Sequence, residues 1–106
     1  MNISITSDIL ARLQHLQHER KFAETEFYPG AVTEEIRLEC ERRVNVFLAD
    51  LIILLQGGTS REDLFVQARV LIETFAEEDT EEREQVDNYI GEAMGIIGLE
   101  DWTEHI

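Results

Sequence analysis

The chain has 106 residues, and its 23 acidic and nine basic side chains give a net charge of −14. The length is that of one domain, and the charge disfavours binding to nucleic acid or to anionic membranes, which would repel it. The start, MNISITSDIL, lacks the basic and apolar regions of a signal peptide. The most apolar run, VNVFLADLIILLQ, is too short to span a bilayer and contains Asp50. Cys40 is the only cysteine, which fits a reducing compartment. We therefore expect a cytoplasmic protein without a membrane segment.

Two helices are predicted in the first half of the chain. The first covers about residues 7–18, where Ser7 or Asp8 can accept the free amides of the first turn. The second covers about residues 33–56, begins at Thr33 and ends at a Gly-Gly pair. Apolar residues occur on two opposite sides of this second helix, and this pattern predicts a central helix packed between neighbours. Its main face contains Ile36, Cys40, Val44, Phe47, Leu48, Leu51, Leu54 and Leu55, and its second face contains Val46, Ala49 and Ile53.

Two more helices are predicted in the second half. The third begins in TSRE, where Thr59 and Glu62 have the spacing of a capping box, and continues to about Phe75. The fourth begins near Asp79 or Thr80 and ends at Gly98. Trp102, in the tail, is either a lid over the open end of the bundle or an exposed anchor for a partner, because tryptophan is enriched among residues that dominate binding energy; we favour the lid. The sequence therefore predicts an all-α, single-domain bundle of about four helices over residues 1–106.

No pattern of a metal site or a catalytic site is complete. His15 and His18 are three residues apart, but zinc requires at least a third protein ligand, and none is identified. A calcium loop starting at Asp79 would have Glu84 where glycine is required. Cys40 lies on an apolar helix face, as a structural thiol does. We expect no enzymatic activity, metal or cofactor.

The segment ETFAEEDTEEREQVD, residues 73–87, contains eight carboxylates and one base, Arg83. Residues 73–106 as a whole have twelve acids against one base, a net charge of −11. We interpret the segment as the turn into the fourth helix and its exposed first turns, serving as a contact face for a basic protein. The predicted partner contacts are Glu77, Glu78, Asp79, Glu81, Glu84, Asp87, Asn88 and Gly91.

A stripe of small residues continues from these acids along the fourth helix. Asn88, Gly91 and Gly95 follow Glu84 at helical spacing, and glycine in a helix costs roughly 1 kcal/mol relative to alanine. Two glycines on one stripe indicate that another backbone approaches closely. The stripe faces either a neighbouring helix of the same bundle or a partner's loop, which would enter a groove between Glu84 and Asp87.

Three short motifs carry a resemblance to known bacterial proteins. They are FYPGA at 27–31, SREDL at 60–64 and FAEEDTE at 75–81. In this order they resemble the small helical immunity protein that neutralises the NAD(P)-degrading toxin of a type VI secretion system. They also resemble an uncharacterised family of small acidic bacterial proteins with an FYPG segment. The resemblance covers about residues 27–89.

The resemblance implies a cytoplasmic antidote that binds a toxin domain and occludes its active site. Among the matched positions it implies structural roles for Tyr28, Pro29, Gly30 and Phe75, and contact roles for Glu77, Asp79 and Glu81.

Three other functions fit the same sequence. One is an acidic mimic of nucleic acid that inhibits a DNA-binding enzyme. Another is a structural or regulatory protein that forms a homodimer through extra apolar positions. Those positions are Val46, Ile53, Val66 and Val70. An enzyme is the fourth possibility.

Overall fold

A computed structural model describes residues 2–106 as four α-helices and one short 3-10 helix. The helices are α1 (Ser7–His18), α2 (Glu34–Gly57), α3 (Arg61–Thr74) and α4 (Thr80–Ile97), and the 3-10 helix is Trp102–Glu104. The predicted all-α, single-domain bundle is therefore confirmed. Over the described range, no helix combines the length and the apolar character needed to cross a membrane.

Short polar side chains determine where the helices begin. Thr33 begins α2 as predicted, because its hydroxyl accepts a hydrogen bond from the amide of Ile36 at 3.1 Å. The predicted cap of α1, Ser7 or Asp8, is wrong, because the hydroxyl of Thr6 accepts from the amide of Ile9 at 3.1 Å and the helix begins there. Gly98 ends α4 as predicted, with φ at 94°, a conformation that glycine adopts at little cost.

The predicted cap of α3 is wrong by one residue. The hydroxyl of Ser60, not that of Thr59, accepts from the amide of Asp63 at 3.2 Å. Thr59 is buried and pairs its backbone with Ile3 in an isolated antiparallel bridge. This pairing fixes Thr59 in extended backbone next to the N-terminal segment, and the helix begins after it.

Helix α2 lies at the centre of the contacts, since it packs against α1, α3 and α4. Its main face forms much of the core, where Val44, Leu48 and Leu51 are fully buried. The prediction that neighbours cover both faces is wrong. Val46 is 48% exposed and Ile53 is 65% exposed, because the other helices cover only the main face.

The tail after α4 folds back over the bundle. Trp102 is 9% exposed, and its indole nitrogen would lie 3.8 Å from a Cβ added to Gly91. Arg61 of α3 holds this tail through an ion pair with Asp101 at 2.6 Å. Trp102 is therefore part of the core, and the alternative of an exposed anchor is wrong.

Candidate partner-binding surface

The turn from α3 into α4 presents a group of exposed carboxylates. Four of the exposed acids at this turn and at the start of α4 are considered together. Among residues 2–106, none of these four takes part in an ion pair. Arg83, the single base of the segment, donates instead to the hydroxyl of Thr80 at 3.3 Å. Within the described part of the chain, these carboxylates therefore have no cation in direct ion-pair contact. They are Glu77, Asp79, Glu81 and Glu84.

Two other acids of the same segment face the protein. The carboxylate of Glu78 is half-buried and lies 3.5 Å from the guanidinium of Arg43. Glu82 is buried and accepts a hydrogen bond of 2.7 Å from the hydroxyl of Tyr28. Glu78 was a predicted partner contact, but its carboxylate is paired with Arg43 and only part of its side chain is accessible to a partner. Glu82 belongs to the framework that supports the exposed acids.

The remaining predicted contacts lie along α4. Asp87 and Asn88 are exposed. Desolvation by the surrounding protein raises the pKa of Asp87, and the negative charge of Glu84 raises it further. Gly91 lies against Trp102, so the chain's own tail approaches the backbone there. Gly95 is exposed and has open space beside it. The predicted stripe is therefore partly covered by the chain's own tail.

The loop between α1 and α2 packs onto the base of the acidic turn through aromatic rings. The rings of Phe22 and Phe75 are parallel, with centroids 5.8 Å apart. The hydroxyl of Tyr89 accepts from the amide of Phe22 at 2.9 Å. Tyr28 and Phe75 are buried, which agrees with the structural roles that the resemblance implies. Because Tyr28 also bonds Glu82, the FYPG segment lies beside the first turn of α4.

Buried cations fix the start of this loop. Lys21 is fully buried, and its ammonium donates to the carbonyls of Leu16, Gln17 and Glu19 at 2.5, 3.2 and 2.9 Å. It thereby satisfies carbonyl groups at the C-terminal end of α1. Burial lowers the pKa of Lys21, and the negative charge of Glu41 acts in the opposite direction.

The guanidinium of Arg37 joins this loop to α2. Arg37 is buried, and its Nη1 donates to the Lys21 carbonyl at 2.9 Å and to Glu41 at 2.7 Å. The carboxylate of Glu41 also accepts from the Lys21 amide at 2.8 Å. The loop is therefore fixed to both helices that it connects.

The same loop exposes two apolar side chains that the sequence interpretation missed. Phe27 is 90% exposed and Val32 is 82% exposed. A signal was present, because Pro29-Gly30 marks the segment as a turn, and connecting segments run over the surface of a protein. We use the name loop–corner surface for these two apolar residues together with the four exposed acids, that is, Phe27, Val32, Glu77, Asp79, Glu81 and Glu84.

The other candidate residues do not converge on a site. Burial raises the pKa of the Cys40 thiol to about 11, so little reactive thiolate is present at neutral pH. His15 is exposed and lies 3.1 Å from the carboxylate of Glu19. His18 is exposed, and its Nδ1 lies 2.7 Å from the carbonyl of Gln14. Each histidine is satisfied on its own helix.

One group of metal-ligand side chains lies in the tail, where the sequence suggested none. It consists of Asp101, Glu104 and His105, all on the surface. Asp101 already binds Arg61 at 2.6 Å and lies 3.1 Å from the imidazole of His105. The ring of His105 also stacks on Phe65, with centroids 4.9 Å apart. Through these contacts the group holds the tail against α3.

Fold and surface together define a small all-α domain in which the acidic turn into α4 contacts the loop that exposes Phe27 and Val32. The chain belongs to the family of domains of unknown function 4844 (DUF4844), whose model matches residues 4–106. No curated protein and no solved structure matches the chain.

Proposed function

We propose that this protein is an immunity protein, an acidic cytoplasmic antidote that binds a basic toxin domain and occludes its active site. One observation carries the proposal. Four unpaired carboxylates and the exposed ring of Phe27 lie on two segments that the Tyr28–Glu82 hydrogen bond joins. The resemblance of the FYPGA and FAEEDTE motifs to a toxin-neutralising protein supports the same function.

Charge and apolar area have different roles in such an interface. Unpaired carboxylates attract a basic partner over a distance and raise the association rate. A large aromatic side chain that enters a pocket contributes most to slowing dissociation. The loop–corner surface supplies both, because Phe27 and Val32 lie on the loop that contacts the first turn of α4.

The framework under the surface lowers the entropic cost of binding. Phe22 stacks on Phe75, and Arg37 fixes the backbone at Lys21, so the loop is held before a partner arrives. A preformed loop loses less conformational freedom on binding than a mobile one. A stable complex would bury roughly 1,200–2,000 Å² in total, so residues around the loop–corner surface would also be covered.

The partner can be isolated with the tagged chain from its native host and identified by mass spectrometry. It should arrest bacterial growth when produced alone, and production of this chain should restore growth. Binding rates are then measured by surface plasmon resonance for two variants. One replaces Glu77, Asp79, Glu81 and Glu84 with Lys, and the other is Phe27→Ala.

We expect the charge-reversed variant to associate roughly tenfold or more slowly, because the attraction becomes repulsion. Phe27→Ala should dissociate roughly 30-fold faster, which corresponds to about 2 kcal/mol.

The matched control makes the same change in net charge elsewhere. It replaces Glu62, Asp63, Glu100 and Glu104 with Lys; these acids are exposed, and two of them lie in a first helical turn, like Glu81. The control should keep most of the association rate and still restore growth. Circular dichroism verifies that all variants are folded. Normal binding by both folded loop–corner variants would refute the proposed surface, and a partner that is not toxic would refute the antidote function.

A further inference from the structure

The outer face of α2 is apolar and uncovered in the isolated chain. Leu38, Val46 and Ile53 lie along it, and each is about half exposed or more. Val66 and Val70 of α3 are exposed as well. A stripe of exposed aliphatic side chains across two neighbouring helices is the kind of surface that proteins cover by association.

Val46 forms a ridge between two grooves on this face. One groove, of about 210 Å³, lies between α2 and α3, and Arg42, Val46, Asp50 and Val70 are among its lining residues. The second lies on the other side of the ridge, where Leu38 and Val46 are among the lining residues. A matching ridge from another helix could enter either groove.

The charges around the ridge have a self-complementary order. Arg42 lies four residues before Val46, and Asp50 lies four residues after it, about 6 Å away in each direction along the helix. If two copies of α2 pack antiparallel about a two-fold axis at Val46, each Arg42 faces the partner's Asp50. The guanidinium of Arg42 can bind Glu39 of its own chain and the partner's Asp50 at the same time. Its hydrogen bonds to Glu39 use Nε and Nη2, so Nη1 can donate to the partner. Asp50 is exposed and, among residues 2–106, pairs with no cation.

The distribution of charge favours this face over others for contact between two copies. Two chains of net charge −14 repel each other wherever their acidic parts approach. Residues 31–72, which include α2 and most of α3, carry a net charge of only −2, against −11 for residues 73–106. None of the loop–corner residues lines either groove.

We propose that the chain forms a homodimer in which the two copies of α2 pack antiparallel, with Val46 at the two-fold axis. Arg42 and the partner's Asp50 form two equivalent ion pairs, and the aliphatic residues of α2 and α3 fill the space around them. This interface uses residues that the loop–corner surface does not, so it stands without the antidote function.

Disulfide cross-linking tests the register. In Val46→Cys the two new thiols lie together at the axis and should join the chains under mild oxidation. Ile53→Cys is the matched control, because position 53 is more exposed than position 46 but lies seven residues from the axis. The two thiols at position 53 would be about 21 Å apart along the helices, whereas a disulfide requires Cα atoms within about 7 Å. The native Cys40 is buried, so the unmodified chain should not cross-link.

Light scattering and a charge swap complete the test. The wild-type mass should approach twice 12.3 kDa as concentration rises. Arg42→Asp and Asp50→Arg should each weaken the dimer about tenfold, and the double variant should restore it. A monomer at all concentrations would overturn the proposal. Faster cross-linking of Ile53→Cys than of Val46→Cys, or a double variant weaker than both single variants, would overturn the register.

Discussion

The hydrogen bond between Tyr28 and Glu82 can be tested by removing one oxygen atom. In Tyr28→Phe the ring remains to fill the core, but Glu82 loses the hydroxyl that donates to it at 2.7 Å. Glu82 is only 7% exposed, so water can replace that donor only in part. The variant therefore isolates the hydrogen bond from the packing of the ring.

The expected cost follows from the charge and the burial of the acceptor. A hydrogen bond to a charged group contributes about 1.5–3 kcal/mol, and a buried acceptor left without a donor adds to the loss. We expect Tyr28→Phe to lower the free energy of unfolding by about 2 kcal/mol. For a domain of this size the melting temperature should fall by roughly 8–16 °C.

A double-mutant cycle separates this bond from other effects of the substitution. Urea unfolding is followed by circular dichroism for Tyr28→Phe, Glu82→Leu and the double variant. Once Glu82 is leucine, the Tyr28→Phe change should cost much less, so the coupling energy should be about 1–2 kcal/mol. A coupling energy near zero would refute the reasoning. It would show that the tyrosine acts through packing and does not fix the loop to α4 through its hydroxyl.

Two further predictions concern pH and helix propensity. Hydrogen bonds from Arg42 lower the pKa of Glu39 to about 2 from its ordinary 4.5, so the stability from Glu39 is present above pH 4.5 and is lost as the pH falls toward 2. Desolvation raises the pKa of Asp87 above its ordinary 3.8, so the ionised form of Asp87 lowers the stability of the fold. Stability therefore increases as the pH falls through the raised pKa and Asp87 becomes protonated. The gain from Asp87 is complete below its ordinary pKa of 3.8, whereas the loss from Glu39 continues, so the urea midpoint should fall as the pH is lowered from 3.8 toward 2. A midpoint that keeps rising to pH 2 would contradict this balance. Gly95→Ala should raise the melting temperature by roughly 4–8 °C, because alanine is favoured by about 1 kcal/mol and nothing lies within 4 Å of the new methyl group. The control Gly98→Ala should lower it, because φ there is 94°, and a decrease for Gly95→Ala would contradict the open space seen beside it.

The helices could be predicted because their signals are local. Thr33 and Gly98 are recognised from the residues next to them, and both are confirmed. The cap of α3 was not predictable in the same way. Thr59 and Ser60 both have a hydroxyl, and the choice between them depends on a backbone pairing with Ile3, more than 50 residues away.

Burial on α2 shows a different limit. Periodicity identifies which residues share a face, but it does not say whether another helix covers that face. Val46 and Ile53 were expected against neighbours, and they face outward because α1, α3 and α4 all pack around the main face.

The candidate surface was partly predictable. The exposure of Glu77, Asp79 and Glu81 follows from their number and density of charge. Glu82 shares helical spacing with Val86 and Ile90, which places it on the inner face, and that signal was present in the sequence. The buried Lys21 had no such signal, because its ammonium is satisfied by carbonyls that only the folded turn brings together.

The contacts of the loop between α1 and α2 also order the events of folding during synthesis. Phe22 bonds a residue 67 positions later in the chain, and Tyr28 bonds one 54 positions later, and both of those partners lie on α4. Helices α2 and α3 are both synthesised before α4. Because bringing distant positions together costs chain entropy, we expect the FYPG loop to make its contacts with α4 late in folding. We therefore expect a nascent chain without α4 to lack the two hydrogen bonds that join this loop to Glu82 and Tyr89.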